Sequence, residues 1–595
     1  MIPKRTDIHI LSSAFEGLPI DGRVLLAFAT IAGLYLAFAV LLRPFWGRRQ
    51  EEPEWMDTVI RPAYAIAVRS ERVLLAVFLI AFVSGLANGL LRYPIPAVND
   101  EFGYLLNADT YASGRMVNPP HEMWQHFETI GTNQQPAYVS KYPPAPSLFL
   151  AFGQVVFGHP WWGQLIAFAL AATAVAWMLR IWVGARWGLV GGMVVALHPN
   201  MQHFHGYDYG WANYSWSHSY WGGAVAMLGA ALVFGSMRHF SRRPRARYGV
   251  LMAMGLALLA NSRPMEGLLV SLPAAAFLLL RVAKGRIAVR DFLLCAALPL
   301  VAVMTPVALV MAANNFAATG DPLVLAHQHY GEQYGVAAEL LIQEPRTPPE
   351  SYRNSEMRRF YLDWVRPTFE ARSTSIEAYL ESRVIALEKL VWYFFSTMWP
   401  ALLVLPMLWG VAWWRFALGV AAISLVLLLV IFDFHPHYAA PAAPLFIALA
   451  IGGMSQLAKL SGGRSTLGRA LVVVMLGATL GSRAFMLPAD QLLEEAPTND
   501  WPRMRAFVVD QLTKLPERDL VIVSTDEEHL KFQNWVHNGA DLVNGEVLFA
   551  RDLGIPLSEN PVVHHYADRK LWHLVLKSDF WSFQVIPRME LVSGP

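Results

Sequence analysis

Apolar runs of roughly 17–25 residues, the length that crosses a bilayer core, recur along most of this chain and are separated by polar breaks. The pattern predicts twelve spans, at about 24–42, 73–91, 161–181, 187–203, 217–236, 248–261, 265–281, 291–313, 391–409, 415–432, 437–457 and 467–485. Lys and Arg in the connecting loops set the orientation. Arg43, Arg48, Arg49, Arg61, Arg69 and Arg72 crowd the first loop, and Arg238, Arg242, Arg243, Arg245 and Arg247 follow the fifth span. Arg281, Lys284, Arg286 and Arg290 follow the seventh, and Lys459, Arg464 and Arg469 the eleventh. All fall on one side, which is then cytoplasmic. Residues 145–158 are apolar but short, and a crossing there would force Arg180 and Arg186 outside. That segment is expected to lie along the outer surface as a juxtamembrane helix.

The same alternation gives three units. Residues 1–72 carry an extra N-terminal span and a cytoplasmic loop, with no small-residue cleavage site after the span, so a retained helix is expected. Residues 73–485 form the membrane part, with outward loops 92–160 and 314–390, the second carrying the turn signal TGDP. Residues 486–595 have soluble composition: RMRAFVVDQLTKL reads as an amphipathic helix, DLVIVST and LWHLVLK as strands. A small outward α/β domain fits.

Composition agrees with this reading. The chain of 595 residues is 55% hydrophobic and 15% charged, where soluble domains carry about 25% charged residues. The fold class is a polytopic α-helical membrane protein of about twelve spans. Cys295 is the only cysteine, which excludes an intramolecular disulfide. The net charge of +2 adds nothing about partners, and no nucleic-acid partner is expected.

Candidate chemistry gathers between residues 99 and 146. Asp100 and Glu101 stand at the outer end of the second span, and Lys141-Tyr142-Pro143-Pro144 returns some forty residues later. Neighbouring helical residues point about 100° apart, so the two carboxylates would take different roles. One would serve as a base while the other orients a ligand or metal. A carboxylate base suits attack by a hydroxyl on a sugar carrying a phosphate leaving group, because only the nucleophile's proton must be removed. Without such a role, Asp100 and Glu101 would be a solvated helix end and Lys141 a snorkelling lysine. Arg263, in NSRPMEG, suits a bidentate phosphate contact, and Arg263 and Glu266 near the membrane face need partners or a ligand. Three histidine clusters follow: His203, His205, Asp208 and His218; His327 and His329; and Asp433, His435 and His437. Their spacings match no zinc signature. Substrate binding or interfacial packing is favoured for each, with the need for a divalent cation left open.

The Asp-Glu pair, Tyr104 shortly after it, and a Lys near Pro-Pro resemble the GT-C membrane glycosyltransferases, among which protein O-mannosyltransferases and lipid A aminoarabinose transferases are nearest. The resemblance is best from Asp100 to about His203. It implies that Asp100 is the catalytic base, Glu101 its helper, and that Lys141 lies near the sugar-phosphate of a polyprenyl donor. Two departures stand out: the extra span 24–42, and Tyr142 set between the cation and the prolines.

The expected function is transfer of a sugar from a polyprenyl-phosphate donor to a glycan, lipid or protein acceptor on the outer face of a bacterial inner membrane, with inversion as the family implies. Asp100 and Glu101 are the candidate catalytic residues and Lys141 and Arg263 the phosphate contacts. Tyr104, Tyr142, Asp208, Glu266, His327 and His437 are the candidate substrate contacts. The rivals are a transporter and a lipid-linked polysaccharide polymerase or ligase. A transporter would place ionisable groups near the midplane, whereas here they collect at the outer span ends.

Overall fold

The computed structural model describes residues 71–91, 93–202, 215–347, 349, 352, 354–459, 467–492, 501–525, 534–579 and 584–591. The expected span 24–42, with His203, His205 and Asp208, lies outside these residues. Among the described residues seven helices are long and apolar enough to cross a membrane. They include α1 (Arg72–Leu91) and, after the short amphipathic α2 (Asn99–Ala112) and α3 (Pro144–Phe157), α4 (Trp161–Trp182). The chain continues through α5 (Ala185–Ala196), α6 (Gly223–Arg242), α7 (Ala246–Ala260), α8 (Pro264–Ala283) and α9 (Val289–Thr319). Then come α10 (Ala326–Tyr334), α11 (Ile376–Phe395), α12 (Ala412–Val430), α13 (Ala443–Lys459) and α14 (Leu467–Leu492).

Four of the twelve expected spans take another form. The run 391–409 is not one rod: α11 and the 3₁₀ turn Trp399–Leu408 meet at 93°, giving an eighth span only if the bent pair is one. Pro400, which lacks an N–H, sits at the start of the second piece. The run 187–203 breaks at His198, where α5 gives way to the short helix Pro199–Gln202. Gln202 fastens that break, its Nε2 donating to Ala196 O at 2.6 Å. The runs 248–261 and 437–457 become α7 and α13, both among the shorter apolar helices.

Contacts sort the helix ends into two groups. At one end Arg180 pairs with Glu71 at 3.0 Å, Arg281 donates to Ser241 O at 3.1 Å, and His239 stacks on Trp177 at 4.8 Å. At the other, Tyr93 meets Trp161 edge-on at 5.9 Å, and Ala145 N donates to Asn261 O at 2.8 Å. The helices α1, α4, α6, α7 and α8 therefore run between a basic end and the end that holds residues 93–99 and 145. Helix α7, at about 22 Å by helical rise, still connects the two.

The interior belongs to small-residue helices. Helix α6 buries 16 of its 20 residues and α13 buries 14 of 17, whereas Leu298–Thr319 of α9 buries three of 22. A helix apolar all round and so exposed faces lipid.

Two short strands, β1 (Thr132–Asn133) and β2 (Val139–Ser140), lie between α2 and α3. Past the helices, α15 (Trp501–Leu512) packs on a sheet of order β4-β3-β5-β6. Its strands are β3 (Asp519–Thr525), β4 (Val547–Arg551), β5 (Lys570–Asp579) and β6 (Gln584–Leu591). The pairings of β3 with β4 and β5 are parallel, and that of β5 with β6 is antiparallel. Its two faces do not close on themselves. Leu520, Ile522, Leu548 and Ala550 share a core with Leu106, Phe127 and Tyr138, and Phe102 packs against the opposite core of Val521, Val523 and Phe549.

Candidate active site

The site is built on α2. Its first turn exposes no basic residue and carries Asp100 and Glu101, which favours the positive helix N-terminus. Residue by residue the two carboxylates differ. Glu101 is fully buried, and accepts from Ala97 N at 2.8 Å and Tyr220 N at 3.0 Å. Burial raises its pKa to about 7. The expected helper thus fastens the start of α2 to the segment before α6, with both oxygens engaged by backbone. Asp100 is only half-buried and accepts a hydrogen bond from the Tyr142 hydroxyl.

The loop carrying Lys141 is brought back by a small hairpin, in which Thr132 pairs with Ser140 and Asn133 with Val139. Asn107 of α2 then clamps it, donating to Tyr142 O at 3.1 Å and accepting from Ser140 N at 3.1 Å. Gly103 is what lets Tyr142 in, since a Cβ there would lie 2.8 Å from both Ser140 Oγ and the Tyr142 ring. Tyr142 stacks on Tyr104 at 4.7 Å. The residue that departs from the family pattern is therefore a wall of the cleft and a donor to Asp100.

Lys141 Nζ lies over the rings of Tyr330 at 4.8 Å and Tyr142 at 5.2 Å. Burial lowers its pKa, with Asp100 and Glu339 acting the other way. No carboxylate comes within 4.0 Å of it among the described residues. Tyr330 is held as a platform, its hydroxyl accepting from Gly131 N at 2.9 Å and from Tyr361 at 2.8 Å.

Arg263 caps the start of α8, with Pro264 at the first helical position. Its guanidinium lies 4.5 Å over the Tyr438 ring and 3.8 Å from Glu266. Asp100, Tyr104, Tyr438 and Glu266 all act on it electrostatically. His327 stands 4.0 Å from Glu339, which also faces Arg346 at 3.9 Å. Removal from solvent, then Lys141 and Arg263, lower the affinity of His327 for a proton. His437 is buried against Trp221 at 4.3 Å, and burial followed by Arg263 keeps it neutral.

Asp100, Tyr104, Lys141, Tyr142, Arg263, Glu266, His327 and His437 thus come from five separate parts of the chain to one cleft. Glu339, Tyr330, Arg346 and Tyr438 are added by the structure. Only Tyr438 had a visible cue, its place beside His437. A small pocket between α8 and α12 is lined by Glu266, Tyr438, Leu269, Val270, Leu427 and Leu428.

Among the described residues no group of three or more His, Cys, Asp and Glu is placed to hold a metal. In the Asp433 cluster the carboxylate is bound instead by Arg372 at 2.9 Å and His435 at 3.1 Å. In the C-terminal unit Ser524 Oγ lies 2.5 Å from Asp552 and 2.8 Å from His573. With the serine in the middle, no histidine base stands between a nucleophile and its orienting acid.

No protein-family model and no curated protein matches the chain. Solved structures similar to it include ArnT from Cupriavidus metallidurans bound to undecaprenyl phosphate, at 14% identity over 84% of this chain and 92% of that one, with a TM-score of 0.44. The Archaeoglobus fulgidus oligosaccharyltransferase in complex with Zn and sulfate is similar at 11% identity, over 84% and 68%, with a TM-score of 0.45. The arabinofuranosyltransferase AftD from Mycobacteria covers 85% of this chain and 35% of its own at 13% identity and a TM-score of 0.38. These are distant likenesses of outline, and the roles of residues rest on the cleft itself.

Proposed function

We propose that the chain is a membrane glycosyltransferase that moves a sugar from a polyprenyl-phosphate donor to a hydroxyl-bearing acceptor at the outer face of a bacterial inner membrane. The observation that carries this reading is the meeting of Asp100 with Lys141 and Arg263 in one cleft at the end of the helix bundle. Asp100 takes the proton of the acceptor hydroxyl as its oxygen bonds to the anomeric carbon. The bond from that carbon to the phosphate oxygen breaks, and its electron pair leaves with the polyprenyl phosphate. Lys141 and Arg263 stabilise the charge that collects there. A single displacement of this kind inverts the anomeric centre. Tyr142 gives up its hydrogen bond to Asp100 when the acceptor arrives, or shares it. The tyrosine faces of the cleft suit stacking on sugar. A transporter needs no such pairing of a half-buried carboxylate with an unneutralised lysine.

The test is transfer of labelled sugar from a purified polyprenyl-phosphate donor, with donor binding followed separately. Asp100→Asn should lower turnover by about 10²–10⁴-fold while donor affinity changes little. Lys141→Ala and Arg263→Ala should each weaken donor binding by roughly 10-fold or more, on the scale of a charge-assisted hydrogen bond. Unmodified turnover in Asp100→Asn would remove Asp100 as the base.

A further inference from the structure

The helix that delivers Asp100 is held from behind by a segment more than four hundred positions later in the sequence. Residues 534–539 belong to no helix or strand, and Asn538 ties them to β4 by donating to Phe549 O at 2.8 Å and accepting from Phe549 N at 2.9 Å. From this fixed segment two contacts reach α2, one near each end. His537 Nε2 lies 3.0 Å from Asn99 Oδ1, and its ring stacks flat on Phe102, with centroids 4.1 Å apart and planes at 0°. Asn99 and Phe102 flank Asp100 and Glu101 in sequence. Nearer the other end, Ala540 N donates to Asp109 Oδ2 at 2.6 Å, while Asp109 Oδ1 accepts from Gln154 of α3 at 3.1 Å.

The environment of His537 fixes how it is used. Only 6% of its surface is exposed. The groups that face it are Arg505 from α15, Arg551 from β4, Thr129 and Asn99, with no carboxylate among them. Burial first and the two guanidinium groups next keep the ring neutral. A neutral imidazole that donates from Nε2 to Asn99 leaves Nδ1 as an acceptor for Thr129, 3.5 Å away. Arg505 locks the back of the segment, donating to Trp535 O at 3.1 Å and His537 O at 2.6 Å, and lies 4.8 Å over Phe102. Both ring nitrogens and the carbonyl of His537 are therefore engaged by the protein.

We propose that the 534–540 segment is a positioning strap for α2, with His537 the residue that sets the direction of the Asp100 carboxylate. The inference rests on Asp100 being the base. It gives the C-terminal unit a part in turnover. A misplacement of about 1 Å in a reacting group can cost on the order of 100-fold in rate, so the strap's effect should fall on kcat and not on donor binding.

The experiment uses the full-length protein in detergent, with amide hydrogen exchange over 99–112 measured beside the kinetics of sugar transfer. His537→Ala should speed exchange across the first turns of α2 and lower kcat by roughly 10- to 100-fold, with donor affinity unchanged. His537→Gln keeps an N–H for Asn99 and should restore most of both. If His537→Ala does not fold, Gly539→Ala reads the same strap at its other contact. A Cβ at Gly539 would lie 2.8 Å from Asp109 Oδ2 and displace it from Ala540 N. Unchanged exchange in these variants, or faster exchange with kcat intact, overturns the proposal. Retained turnover in Asp100→Asn would instead sink the base assignment, leaving the exchange result to stand or fall alone.

Discussion

At the scale of single residues, two adjacent carboxylates are separated by what surrounds them. Asp100 keeps an opening to the cleft, whereas Glu101 is closed over by two backbone N–H groups. That difference has a consequence in pH. Glu101 has its pKa raised from 4.5 to about 7 by burial, so the folded state holds this proton more tightly than the unfolded chain does. The stability that follows is fully present below about 4.5 and is lost as pH rises through about 7. Unfolding temperature followed from pH 5 to 8 should therefore fall more steeply in the native protein than in Glu101→Gln. Parallel profiles would show that Glu101 is charged throughout. The sequence carried the acidic pair, Lys141 and Arg263 because charged groups at span ends stand out against apolar runs. The expectation that the two carboxylates differ was also there, from their separation of about 100° on a helix, but not what holds Glu101, which depends on Tyr220 N arriving from 119 positions away. Glu339 and Tyr330 were hidden for the same reason: each lies in a polar loop where such residues are ordinary, and only the return of that loop onto Lys141 gives them meaning.

At the scale of elements, Lys141 stands just ahead of α3, joined to Pro144 through Tyr142 and Pro143, so a shift of α3 is passed to it. Helix α3 ends at Gly158, whose φ of 79° favours glycine, and α4 turns back at once. The two helices touch backbone to backbone, since a Cβ at Gly163 would lie 1.7 Å from Phe149 O. The neighbour here is main chain, which cannot rotate away. Gly163→Ala should then force α3 and α4 apart, destabilise the fold by about 1–3 kcal/mol and weaken donor binding through Lys141. Thermal unfolding in detergent checks it, and an unchanged midpoint would mean that the helices are less close than described. Hydropathy gave α1, α4, α8 and α12 nearly to the residue, because long uniform runs leave one solution. It merged α11 with the turn after it, since a bend of 93° changes direction without changing polarity. In the C-terminal unit DLVIVST and LWHLVLK were legible as strands. The short β4 was not, because its place depends on pairing with β3 and not on its own pattern.

At the scale of the whole molecule, the charges sort by end. Arg180, Arg238, Arg242, Arg247 and Arg281 lie close enough to depress one another or their neighbours, and such crowding marks the end kept in the cytoplasm. The cleft, with Asp100, Lys141 and Arg263, is at the other end. The C-terminal unit must share its side, because Ala540 N bonds to Asp109 of α2. The two ends differ in this way whatever the number of spans that join them. The orientation can be tested with cysteine tags in a chain whose native Cys295 has been replaced. Ser113 and Asn544 are exposed at the cleft end, and Lys284 is exposed beside the basic cluster. In intact spheroplasts an impermeant thiol reagent should label Ser113→Cys and Asn544→Cys within minutes, and label Lys284→Cys only after the membrane is opened. Labelling of Lys284→Cys with protection of the other two would invert the molecule. The cleft would then face the cytoplasm, and an outer-face acceptor would be out of reach of Asp100. Labelling that differed between Ser113→Cys and Asn544→Cys would break the contact between Ala540 and Asp109, and with it the strap that holds the catalytic helix.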